Sequence, residues 1–122
     1  MAKILVIDDD VSFNDALKQY LEYVGHKVVC AFDGKQGLSL LVQVKPDLVI
    51  TDIVMPSVDG LEFIISIRDS ITLFPCRIIA MSGGGRIGGA NYLEMATALG
   101  VDDALEKPFG MEDLQKSIET LF

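Results

Sequence analysis

Short apolar runs alternate with segments of helical period along this whole chain, and that alternation restricts the fold more than any other feature. Ile4-Leu5-Val6-Ile7 is continuous and mostly β-branched, as expected of a strand covered on both faces. Phe13, Leu17, Tyr20, Leu21 and Val24 then recur at helical spacing. Asp10 or Ser12 is placed to cap that helix and Gly25 to end it. Lys27 to Phe32 reads as the second strand. Asp33-Gly34 turns into a helix with Leu38, Leu41 and Val42 on one face, and Pro46-Asp47 breaks it. Leu48 to Thr51 is the third strand. A loop, Met55 to Gly60, leads to a helix with Leu61, Ile64 and Ile65 facing inward, and Pro75 closes its exit. Arg77 to Met81 is the fourth strand, Tyr92 to Leu99 a helix stopped by Gly100, and Val101 to Leu105 a weaker fifth strand. Met111, Leu114, Ile118 and Leu121 stripe the last helix. Five strands alternating with five helices predict an α/β domain with a doubly wound parallel sheet and right-handed crossovers.

At 122 residues the chain makes one domain, expected over residues 1–122 with no output domain attached. Half of the residues are hydrophobic, so a packed core is expected and disorder is not. A formal net charge of −8 argues against nucleic acid or an anionic membrane as the main partner. It fits a partner with a basic patch or a site that concentrates a divalent cation. No stretch approaches the roughly 20 apolar residues of a membrane span, and the N-terminus is no signal peptide. Cys30 and Cys76 lack metal-ligand spacing and read as small buried hydrophobes in strands, in a reducing compartment. His26 is the single histidine, which removes His-based triads and most zinc sites. No P-loop ending and no GxGxxG is present, and the glycines of Ser82 to Gly89 predict a hinge rather than a phosphate cradle.

Charged residues close three of the apolar runs: Asp8-Asp9-Asp10 the first, Asp52 the third, and Lys107-Pro108 the fifth. Doubly wound sheets bind ligands beyond the carboxyl ends of their strands, so these distant charges should meet in one pocket. Carboxylates ~4 Å apart repel by about 4 kcal/mol per pair at an effective dielectric near 20, so the cluster needs a cation, a proton or a lysine. Mg²⁺ suits an all-oxygen site that also takes a phosphate oxygen. A carboxylate can attack phosphorus to give an acyl phosphate, while metal and ammonium neutralise the equatorial oxygens. Ser82, at the end of the fourth strand, is placed to hydrogen-bond one of those oxygens. Asp10 reads as a helix cap rather than a ligand, and Asp102 and Asp103 as solvated turn acids.

The set Asp8-Asp9, Asp52-Ile53-Val54-Met55-Pro56 with Asp59-Gly60, Ser82 and Lys107-Pro108-Phe109 resembles the receiver domain of two-component response regulators, of the stand-alone type. The resemblance runs from Lys3 to about Leu121. It implies a flavodoxin-like (βα)₅ sandwich with strand order 2-1-3-4-5. Asp52 would accept a phosphoryl group from the phosphohistidine of a histidine kinase or phosphotransfer protein. Asp8, Asp9, Asp52 and the backbone carbonyl of Val54 would hold Mg²⁺, and Lys107 would pair with a phosphoryl oxygen behind a cis Lys107–Pro108 bond. Ser82 would move to meet the phosphate. The kinase would dock on the first helix, and a downstream protein target on the fourth-helix and fifth-strand surface. The protein would be cytoplasmic, a monomer or weak dimer, and no enzyme beyond its own phosphorylation and dephosphorylation. The family carries an aromatic residue three positions before the lysine, where this chain has Ala104, so that readout is missing.

Three other readings share the architecture. A Mg²⁺-dependent phosphohydrolase with an aspartyl nucleophile would use Asp8 and Asp10 as a DxD pair, but nothing here makes a substrate cap. A flavin carrier would need a hydroxyl- and glycine-rich loop where this chain has three aspartates. A pseudo-receiver working by contact alone would not need the full acid and lysine set.

Overall fold

A computed structural model describes residues 2–53, 60–70, 75–83, 94 and 96–122. Its five strands are β1 (Lys3–Ile7), β2 (Lys27–Ala31), β3 (Leu48–Asp52), β4 (Arg77–Gly83) and β5 (Asp103–Lys107). They form one parallel sheet in the order β2-β1-β3-β4-β5. The helices with described bounds are α1 (Val11–Tyr23), α2 (Gly34–Val44), α3 (Gly60–Ser70) and α4 (Met111–Leu121). Residues 96–98 are also helical, within the segment expected as Tyr92 to Leu99. This is the flavodoxin-like α/β fold expected from the sequence.

Alternation along the strands divides the core in two. Leu5, Ile7, Val49 and Ile78 point to the face packed by Leu41 of α2 and by Phe63, Ile64 and Ile67 of α3. Ile4, Val6, Leu48, Ile50, Ile79 and Met81 point to the other face, against Leu17 and Leu21 of α1 and Leu114 and Ile118 of α4. Burying each such side chain is worth about 1.5–3 kcal/mol, which is why the apolar runs carry no polar alternation.

Local signals act as read. Asp10 accepts the Phe13 N–H at 3.1 Å to cap α1, and Gly25 takes the positive φ of 106° beyond its end. Asp33 caps α2 through the Gln36 N–H at 2.7 Å. Two helix faces differ from expectation. Val42 is 56% and Ile65 46% exposed, while Gly37 on α2 and Phe63 and Ile67 on α3 turn inward. At 100° per residue, each misplaced position lies one residue past the inward stripe, and an apolar side chain there can face water at little cost.

β5 begins at Asp103 rather than Val101 and ends on Lys107. It is an edge strand with half-buried residues, so hydrophobicity marks its bounds poorly. Asp102 is solvent-exposed at a bend, as read, and Asp103 is half-buried in the strand, but both also make bonds that the sequence did not show. Asp102 accepts the Ile78 N–H at 2.8 Å and pairs with Arg77 at 3.3 Å, and Asp103 accepts the Ser117 hydroxyl of α4. These bonds tie the edge strand to β4 and α4, work that a less apolar strand cannot do by burial. Both cysteines are free and half-buried rather than buried, and Cys76 sits one residue before β4. Burial, aided by the negative charges of Asp47 and Asp102, pushes the Cys76 thiol up to about 12.

Candidate functional site

β1 and β3 are neighbours in register, with Ile7 opposite Thr51. Their following residues, Asp8 and Asp52, therefore emerge side by side at the carboxyl edge. This edge is the switch point, because the chain runs from β1 outward to β2 and then returns across β1 to β3. β5 ends on the same edge, with Lys107 opposite Gly83 of β4.

The three chain-distant groups meet. Lys107 Nζ donates to Asp8 Oδ2 at 2.7 Å and to Asp52 Oδ2 at 3.2 Å. Asp8 is fully buried and Asp52 nearly so, whereas Asp9 is exposed. One carboxylate oxygen from each of Asp8, Asp9 and Asp52 lies within 4.8 Å of the others. Burial pushes the Asp8 carboxyl above the ordinary carboxylate range, against the pull of the Lys107 hydrogen bond. Burial alone would depress Lys107, but its hydrogen bond to Asp8 and the charge of Asp52 outweigh it and raise the ammonium further, so it stays charged at neutral pH.

The backbone holds this arrangement from behind. Asp8 Oδ1 accepts the Asp10 N–H at 2.9 Å, closing the acidic turn on itself. Asn14, fully buried on α1, donates from Nδ2 to the carbonyls of Asp8 at 3.1 Å and Ala31 at 2.9 Å. The sequence expectation does not include Asn14. Its signal is a polar residue in register with Leu17 and Leu21 on the inward face, where a side-chain amide must find backbone partners. Lys107 also lies over the ring of Phe13, 4.2 Å from its centroid. Phe13 meets Phe109 edge-on, with centroids 5.8 Å apart and planes at 87°. The sequence marked Phe13 only as a core residue of the first helix.

Ser82 is buried at the end of β4, in register with Glu106. The Lys107–Pro108 bond is cis. Val54, Met55 to Asp59, the segment 84–89 and Tyr92 lie outside the described residues. Among the described residues the candidate donors are three carboxylate oxygens, from buried Asp8 and Asp52 and exposed Asp9, a set that suits a hard divalent cation. Asp10 is engaged as the cap of α1, so the DxD pairing of Asp8 with Asp10 finds no support here.

Residues 4–119 match the response regulator receiver domain family. The chain is 33% identical over 121 residues to the response regulator MprA of Mycolicibacterium vanbaalenii, covering 98% of this chain and 49% of that protein. It thus spans about half the length of the curated relatives it matches. Among solved structures, a response regulator receiver domain protein from Clostridium thermocellum is 30% identical with a TM-score of 0.84, over 98% of this chain and 93% of that one. The chemotaxis protein CheY4 of Vibrio cholerae is 27% identical with a TM-score of 0.86, over 100% and 99% of the two chains.

Proposed function

The chain belongs to the response regulator receiver domain family of two-component systems, and from that premise we propose that it is a phosphoacceptor switch with Asp52 as the acceptor. One observation carries the reading: a charged lysine spans Asp8 and Asp52 beside a third carboxylate, at the carboxyl edge of the sheet.

A carboxylate oxygen of Asp52 attacks the phosphorus of a phosphohistidine on a histidine kinase or phosphotransfer protein. The P–N bond breaks, an acyl phosphate forms, and the departing imidazole takes a proton. Asp8, Asp9 and Asp52, with the Val54 carbonyl, would hold Mg²⁺, which when bound neutralises charge on the phosphoryl oxygens. Lys107, already charged and within reach of Asp52, turns one donor to a phosphoryl oxygen. Ser82 donates its hydroxyl to another. Hydrolysis of the acyl phosphate resets the module, and a downstream protein reads the phosphorylated surface. Asp10, engaged at the helix cap, counts against the alternative of a phosphohydrolase built on a DxD pair.

Acetyl phosphate with Mg²⁺ tests this directly. Intact-mass measurement should show one added phosphoryl group, absent with EDTA and absent in Asp52→Asn. Steady turnover of a phosphate ester without a phosphorylated protein would point instead to the hydrolase.

A further inference from the structure

We propose that Phe13 is a positioning residue for Lys107, holding its ammonium over the face of the ring so that it stays aimed at Asp52. The inference rests on the phosphoacceptor reading above. An ammonium has three donors on a flexible four-carbon stem. Two of its sides are taken by Asp8 at 2.7 Å and Asp52 at 3.2 Å. The ring of Phe13 supplies an attractive surface for the cation at 4.2 Å. Without that surface the two acids could draw the ammonium fully into the gap between them, where it would compete with an incoming cation.

The ring is itself held. Phe13 is half-buried, its N–H is bonded by Asp10 at 3.1 Å, and its ring packs edge-on against Phe109, just beyond the cis Lys107–Pro108 bond. One aromatic pair therefore ties the first turn of α1 to the segment that carries the lysine. When the phosphoryl group draws Lys107 outward, the ring must follow it or give up the contact. Either way the first turn of α1 registers the state of Asp52.

The test compares Phe13→Leu, which keeps apolar bulk without a π face, with Phe13→Tyr, which keeps the face. By NMR, the ε-methylene protons of Lys107 should be shifted upfield by the ring in the parent and in Phe13→Tyr, and lose that shift in Phe13→Leu. With acetyl phosphate at subsaturating Mg²⁺, Phe13→Leu should phosphorylate about 2- to 30-fold more slowly, the range expected for an exposed to a desolvated cation–π contact. Phe13→Tyr should restore the rate. An unshifted lysine in the parent would overturn the proposal, as would an unchanged rate in Phe13→Leu or a Phe13→Tyr rate as slow as that of the leucine variant. If the parent itself takes no phosphoryl group, the phosphoacceptor reading fails, while the NMR comparison still decides whether Phe13 holds Lys107.

Discussion

Replacing Lys107 by Met keeps the length and apolar bulk of the side chain and removes its charge. At an effective dielectric near 20, the contacts at 2.7 and 3.2 Å correspond to Coulomb terms of about 6 and 5 kcal/mol. The Asp8 and Asp52 oxygens, within 4.8 Å, repel by at least about 3.5 kcal/mol at the same dielectric. Desolvation of the ammonium offsets much of the attraction, since the lysine side chain is 17% exposed. What survives is the cost of leaving a buried carboxylate without its partner, about 3–5 kcal/mol. Urea unfolding followed by far-ultraviolet circular dichroism in EDTA should show it. With a slope of about 1–3 kcal/mol per molar urea, the midpoint should fall by more than about 1 M. Mg²⁺ should then recover more stability in Lys107→Met than in the parent, because its charge replaces the missing one. At a hundred times its dissociation constant, the gain from binding is about 2.7 kcal/mol. A midpoint within a few tenths molar of the parent in EDTA, or an equal response of both proteins to Mg²⁺, would refute the claim that the lysine balances these acids.

Other consequences follow from single contacts. A Cβ on Gly37 would lie 2.7 Å from Cδ1 of buried Ile7, so Gly37→Ala should cost about 1–3 kcal/mol despite its better helix propensity. Ile7→Val removes that carbon, and calorimetry of the double variant should show a smaller loss than the sum of the single ones. Asn14→Ala frees the carbonyls of Asp8 and Ala31 and should cost about 1–3 kcal/mol, with weaker Mg²⁺ binding by titration because the acidic turn loses its anchor. A parent-like Mg²⁺ affinity would show that the turn holds without it. The Cys76 thiol, raised from 9.0 to about 12, favours folding fully below pH 9.0, and that contribution is lost as pH rises through 12. At pH 8 the folded protein should therefore alkylate at Cys76 at least about tenfold more slowly than the unfolded chain, the smaller thiolate fraction outweighing the greater nucleophilicity of a more basic thiolate. Equal rates would contradict the assigned burial.

Much of the fold was written locally. The runs Ile4 to Ile7 and Leu48 to Thr51, the caps Asp10 and Asp33 and the stop at Gly25 depend on burial period and on neighbours within a few residues, so each could be read in isolation. Edge and surface positions were less legible. β5 slid by two residues, Val42 and Ile65 faced water, and Asp102 and Asp103 proved to be braces, because burial there is partial and partners lie on other elements.

Residue type and order alone established an α/β chain carrying acids and a lysine at strand ends, since backbone preference and hydrophobic period act over short spans. Bringing Lys107 to Asp8 across 99 residues, and setting Phe13 beneath its ammonium, fell to the packed sheet. Strand order and register are choices among non-local pairings, and side-chain direction at the rim follows from them rather than from any stretch of the chain.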